Sequence, residues 1–228
     1  MTLGEYLGAG SSITGLLCRM NWDANDASWN ANNWTATNVT RNNGRIWSWL
    51  AMFNGTSSVI SFTTANSLKP IWSFTASLWT KTTNTAVQVF FQSYSQVSSV
   101  AWFQVMTNAS NIVRFVVWRN SWFVLWSWYQ EAAWPVAVND WNRHHICCVY
   151  NWVTITVYQD WVAGTGVSWT LWLAYKATSY QRIGCANRDG TNDSWMNGDI
   201  DEVILDLRAW SLADIRKYYT YAKGRFWI

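Results

Sequence analysis

Stretches in which apolar and polar residues alternate recur along the chain, at 58–63, 73–80, 86–93, 102–106, 112–117, 144–150, 153–159, 180–185 and 200–207. A period of two sends successive side chains to opposite faces of a strand. Valine, isoleucine, threonine and aromatic residues dominate these runs, and clusters of Asn, Ser, Asp, Thr and Gly separate them. Many short strands at this spacing predict an antiparallel β-sandwich or a barrel. Pro70 and Pro135 fall between runs, where a missing N–H costs a sheet nothing. The period changes once, near the C-terminus. Ser211 precedes Asp214 by three residues, a capping spacing in which the serine accepts from an early backbone N–H. Leu212, Ile215, Tyr218 and Tyr219 then repeat at helical spacing. The pattern predicts a helix from Ser211 to about Tyr221, ending before Gly224, with Leu212, Ile215 and Tyr219 buried against the sandwich.

At 228 residues the chain suits one domain able to bury a large core without staples. Its net charge is +3, only 13% of residues are charged, and Lys and Arg never cluster. That argues against a nucleic-acid partner. No run approaches the roughly 20 apolar residues needed to cross a bilayer, so membrane insertion is not expected. The first twenty residues lack a basic start followed by an apolar stretch, so no signal peptide is visible. The expectation is an extracellular, cell-surface or virion protein, and a piece of a longer multidomain chain. Four cysteines (Cys18, Cys147, Cys148 and Cys185) show no CxxC spacing, which argues against zinc. They read as buried small hydrophobes, with a Cys18–Cys185 bridge as the alternative.

Tryptophan is the anomaly. There are 21 tryptophans and 12 glycines, whereas ordinary usage of about 7% glycine would give roughly 16. Eleven tryptophans directly follow Asn, Asp or Ser: residues 22, 29, 34, 49, 122, 128, 141, 152, 161, 169 and 195. Those are turn contexts in which glycine supplies a positive φ. Asn151-Trp152 joins two alternating runs where a two-residue hairpin favours Asn-Gly, and Asp160-Trp161 reads as Asp-Gly in the same way. UGA is a stop codon in the standard code, tryptophan in one variant code and glycine in another. A gene from a glycine-reading lineage, translated with the tryptophan-reading table, would show this pattern. The rival reading is a set of sugar-stacking platforms. On the recoding reading Trp29, Trp34, Trp152, Trp161 and Trp195 should lie exposed in turns, several with positive φ.

With glycine restored, residues 21–35 (NWDANDASWNANNWT) resemble the opening motif of laminin-G-like domains in the concanavalin A-like lectin/glucanase superfamily. Residues 43–56 resemble the next block, with Trp47 and Trp49 standing for glycines. Residues 73–79 are similar to the family's FTISLW strand. His144-His145 fits its WHH strand except that Arg143 stands where the family has tryptophan. Residues 158–161 resemble YVDG, and 197–203 with 208–211 resemble the closing block. The resemblance spans 14–222, leaving 1–13 as an N-terminal extension and 223–228 as a tail. It implies an all-β jelly roll with one short C-terminal helix, and genuine, packed tryptophans at 79 and 210. It also points to Asp201 as a side-chain ligand for a structural calcium, the one cofactor it suggests.

For chemistry, Asp199, Asp201 and Glu202 form the one acidic cluster near an ordered strand. Retaining glycosidases need two carboxyls roughly 5–5.5 Å apart. Strict alternation puts Asp199 and Asp201 on one face and Glu202 on the other. The family's glucanases carry a Glu-x-Asp-x-x-Glu strand that this chain lacks, so turn and strand-edge carboxylates are the plainer reading, and no catalytic residue is assigned. No Ser-His-Asp or Cys-His order resembles a known hydrolase motif. The function these features favour is a non-catalytic recognition module that binds a glycan or a surface protein. The alternative is a structural or adhesive domain without a small ligand; a glycoside hydrolase or lyase ranks third.

Overall fold

The computed structural model describes residues 16–18, 32–43, 49–62, 68–94, 103–118, 129–168, 180–188 and 191–226. Among these residues the alternating runs become two antiparallel sheets, their strands numbered in chain order. The first sheet holds β1 (Leu16–Cys18), β3 (Thr40–Asn43), β4 (Trp49–Asn54), β6 (Phe74–Thr82), β11 (His144–Tyr150), β12 (Thr154–Gln159), β13 (Val162–Ala163), β14 (Val167–Ser168) and β18 (Asn197–Asp206). Its order is β13-β12-β11-β6-β18-β4-β3, with β1 also on β18 and β14 on β12. The second runs β10 (Tyr129–Ala137), β9 (Ile112–Trp118), β8 (Phe103–Thr107), β7 (Val89–Tyr94), β15 (Tyr180–Ile183), β5 (Val59–Phe62) and β2 (Trp34–Thr37). A separate hairpin joins β16 (Ala186–Arg188) to β17 (Thr191–Asp193).

The core follows from the alternation. Ala36, Ile60, Ile183, Phe91, Val105, Phe115 and Ala132 are cross-strand partners in one row that crosses the seven-stranded sheet. All of them pack in the core, facing Phe74, Leu78, Ile146, Cys148, Ile200 and Val203 of the other sheet. Each such large side chain contributes roughly 1.5–3 kcal/mol by leaving water.

The helix, α1 (Leu212–Phe226), lies on the outer face of the nine-stranded sheet. Ser211 Oγ accepts from the Asp214 N–H (3.2 Å) while Asp214 Oδ2 accepts from the Ser211 N–H (2.9 Å), a reciprocal cap. Ile215, Tyr218, Tyr219 and Ala222 form its buried stripe against Trp79, Cys147, Val149, Ile204 and Trp210. The fully buried Asp206 fastens the approach by accepting from Trp210 Nε1 (2.7 Å) and Arg208 (2.8 Å).

Several expectations change. The helix continues through Gly224, which has open space around it and no left-handed φ, so nothing there stops it. Leu212 is 40% exposed because, as the first helical residue, it lies off the buried stripe. Pro135 lies inside β10 rather than between runs. That strand is at the sheet's edge and its register slips between Ala133 and Ala137, so the missing N–H disturbs no ladder. The alternating runs do not mark β1, β2, β3, β4, β10, β13, β14, β16 or β17. Cys147, Cys148 and Cys185 are free buried thiols, so the Cys18–Cys185 bridge does not form. Residues 1–13, Trp29 and Trp47 lie outside the described residues.

Candidate functional site

The acidic strand end departs from simple alternation. The pairing of β18 with β6 slips between Asp201, opposite Trp79, and Ile204, opposite Ser77, and Glu202 has φ 44°. This is a bulge, which inserts one residue and reverses the parity beyond it. Glu202 therefore does not point away from Asp201. Both are buried on the side that faces α1, and Glu202 Oε2 accepts from the Tyr218 hydroxyl at 3.1 Å. Burial, then the Glu202 charge, pushes the Tyr218 phenol well above its usual range. Asp199, nearer the strand start, pairs with Arg143 at 3.3 Å. The Asp201 charge also bears on Arg143, and Asp201 Oδ1 accepts from the Glu202 N–H at 2.8 Å. Among the described residues no group of three or more His, Cys, Asp or Glu side chains is placed to hold a metal. A calcium at Asp201 would have to draw most of its other oxygens from backbone carbonyls, side-chain amides or water.

The two histidines point to opposite faces, and both are buried. His145 lies on the helix side beside Trp79 and Tyr218. Its Nε2 is 2.7 Å from Ser77 Oγ, and its Nδ1 has no hydrogen-bond partner. Burial depresses its pKa to about 3. Ser77 and His145 are spaced like a nucleophile and its base, yet both are fully buried beneath the helix. His144 bridges Asp160 (Nδ1, 2.7 Å) and Asp140 (Nε2, 2.9 Å), tying two turns together. Burial opposes its protonation, but the hydrogen bonds to Asp160 and Asp140 win and raise its pKa.

The tryptophans divide. Trp79 and Trp210 are packed in the cluster beneath the helix, as the resemblance implies. Trp141, Trp152 and Trp161 sit in turns with φ of 69°, 77° and 66°. Trp34 overturns its expectation: it lies in β2, 5% exposed, in the core. Its indole N–H has no partner there. Trp195 is half-buried, and the positive φ in that segment belongs to Ser194.

The outer face of the seven-stranded sheet is where polar groups concentrate without being folded away under the helix. One register below the apolar core row runs a second row: Thr35, Ser61, Arg182, Gln92, Gln104, Val116 and Glu131. It crosses every strand of that sheet, and only Val116 is apolar. Gln104 Nε2 donates to Gln92 Oε1 at 3.2 Å. Arg182 bonds Asn192 Oδ1, which also accepts from Asn187 Nδ2 at 2.7 Å, so the β16–β17 hairpin extends the row. Arg114 pairs with Glu131 at the far end. Gln92 and Asn187 are buried, and Gln92 Nε2 and Asn187 Oδ1 have no hydrogen-bond partner. Buried amides ordinarily find partners, so this row holds one unspent donor and one unspent acceptor. Sequence reasoning passed these residues over, although Gln92 and Gln104 stand at polar positions of alternating runs.

No protein-family model matches the chain, and no curated protein matches it by sequence. Solved structures do. The binding domain of Paraclostridial Mosquitocidal Protein 1 superposes with a TM-score of 0.68 at 13% identity, covering 97% of this chain and 53% of that one. The chain is similar in fold to binding domains. The binding domain of botulinum neurotoxin DC, solved in complex with SialylT, gives 0.67 at 12% identity over 93% of this chain and 52% of the toxin domain. Domain 4 of AbnA, a GH43 extracellular arabinanase from Geobacillus stearothermophilus solved with arabinotriose, gives 0.64 at 16% identity, covering 89% of this chain and 97% of that domain. The chain thus spans about half the length of the toxin binding domains and nearly all of the arabinanase domain.

Proposed function

We propose that the chain is a non-catalytic recognition module that binds a glycan across the outer face of the seven-stranded sheet. The observation that carries this reading is the row of amide and guanidinium groups with Gln92 Nε2 and Asn187 Oδ1 left unspent. Sugar hydroxyls both donate and accept, so they match the one donor and one acceptor left in this row; with Gln92, Gln104 and Asn187 buried, a sugar would reach them past the partly exposed Arg182. Support comes from the fold, shared with a domain solved with arabinotriose and with a toxin binding domain solved in complex with SialylT. The carboxylates argue the same way. Asp199 is held by Arg143 and Glu202 by Tyr218, so neither is poised as a glycosidase acid or nucleophile.

On this reading the module works outside the cell or on its surface, as a part of a longer chain, and the laminin-G-like resemblance describes its ancestry. A surface protein is the second partner class, since another similar toxin domain was solved with rat synaptotagmin II. A glycan array, followed by calorimetry on any hit, tests the proposal. Binding that Gln92→Ala and Gln104→Ala weaken supports it; an array without hits favours the adhesive alternative, and cleavage of any glycan would revive the hydrolase. Calcium at Asp201 is tested separately by melting with added calcium and with chelator. A calcium-dependent rise in Tm that Asp201→Asn abolishes supports the site, and superimposable melts remove it.

A further inference from the structure

We infer that residues 141, 152 and 161 are glycine in the natural protein, and that each of these tryptophans marks a UGA codon read as glycine. Eight non-glycine residues have positive φ among the described residues. Four are Asn, Asp or Ser-type positions at 38, 111, 160 and 194, small polar residues that tolerate the left-handed region, and Glu202 is the bulge. The other three are all tryptophan, and each directly follows Asp or Asn.

The turn geometry makes the same demand position by position. Strands β12 and β13 pair Gln159 with Val162, so Asp160-Trp161 is a two-residue hairpin loop with φ of 50° and 66°. Positive φ at both centres is the type I′ pattern, which favours Asp-Gly. Between β11 and β12 the register pairs Tyr150 with Ile155, and the Asn151 N–H donates to Thr154 O at 3.1 Å. The loop centre is therefore Trp152-Val153, one residue later than the sequence suggested. Positive φ at its first residue alone is the type II′ pattern, which favours glycine first. At the third position Asp140 Oδ1 accepts from the Asn142 N–H across Trp141, at 2.9 Å.

Trp141 and Trp161 have surface surroundings, whereas Trp152 is partly buried at the margin of the core. Trp141 is 68% exposed with Lys81 over its face, Trp161 lies under Arg216, and Trp152 rests on the exposed Trp72. Trp79 and Trp210, in contrast, fill buried sites with no unusual φ. Trp34 and Trp195 follow Asn and Ser but lack the positive φ, so the inference stops at three positions. It also removes those three rings as sugar-stacking platforms.

Two measurements decide the matter directly. Peptide mass spectrometry of the protein from its own source should find glycine at 141, 152 and 161, and the gene should carry UGA there; tryptophan masses or UGG codons overturn the inference. A recombinant test is independent of the source. The chain as written should gain about 2–4 °C in Tm for each of Trp141→Gly, Trp152→Gly and Trp161→Gly, since relieving a bulky residue at positive φ is worth about a kilocalorie. Trp79→Gly and Trp210→Gly, made alongside, should lower Tm sharply. A comparable fall in the three turn variants overturns the inference.

Discussion

The outer faces of the two sheets carry similar side chains and end differently. On the nine-stranded sheet Ser77, His145, Asp201 and Glu202 project outward, and the chain's own helix lies over them. On the seven-stranded sheet Arg182, Gln92, Gln104 and Glu131 project outward in a row, and no helix lies among the described residues to cover them. Under the helix the polar groups are organised by it, with Tyr218 bonding Glu202 and stacked rings of Trp79 and Tyr219 5.6 Å apart. In the amide row a donor and an acceptor stay unspent, as His145 Nδ1 does beneath the helix. A polar group that is buried but unpaired costs roughly 1–3 kcal/mol. Polarity on a sheet face thus says little by itself: Gln92 and Gln104 are as buried as Asp201 and Glu202, and what differs is that the helix packs on one set.

The largest effect that sharpens this contrast is Trp79→Ala, which should destabilise the domain by about 3–5 kcal/mol in denaturant melts by emptying the helix interface. Glycan affinity of the folded fraction should be unchanged. Lost binding in a folded variant would break the division of labour. Tyr218→Phe comes next. It strips Glu202 of a buried hydroxyl and should cost about 1–3 kcal/mol, again without touching binding.

Acid should act mainly through the helix-covered face. His145 has a folded pKa of about 3 because it is buried, below its unfolded value near 6.5. Its contribution is therefore intact above about pH 6.5 and is lost as pH falls toward about 3, because the unfolded chain takes up a proton that the folded chain refuses. The slope reaches at most about 1.4 kcal/mol per pH unit, and His145→Gln should flatten it. His144 has the opposite sign. Its raised pKa gives stability that is complete below about pH 6.5 and lost as pH climbs through the folded value. Chemical melts across pH 4–8 on His144→Gln and His145→Gln should separate the two. The smallest change in stability belongs to the amide row. Gln92→Ala with Gln104→Ala should stay within ~1 kcal/mol of the parent while lowering glycan affinity at least tenfold. A large loss of stability there would make the row scaffold after all.

The sandwich was legible because 154–159 alternates strictly while 74–82 and 144–150 are runs of strand length, buried on both faces, and the helix because Ser211 and Asp214 announce its start. The site was less so. The bulge at Glu202 inverts a parity that residue order alone assigns wrongly, and no glycine marks it. The amide row is assembled from partners on seven strands, so each member looks like an ordinary polar position until register is known. Trp34 misled in another way, since its context resembles a turn while cross-strand pairing with Phe62 holds it in a strand.

The proline within β10 has one more consequence. This strand closes the edge of the seven-stranded sheet, where free N–H and C=O groups would otherwise invite a strand from a neighbouring molecule. Pro135 has no N–H to offer, and the slipped register between Ala133 and Ala137 interrupts the regular spacing that such a strand would need. The face proposed to meet ligands is thereby bordered by an edge that discourages the addition of a strand from another molecule.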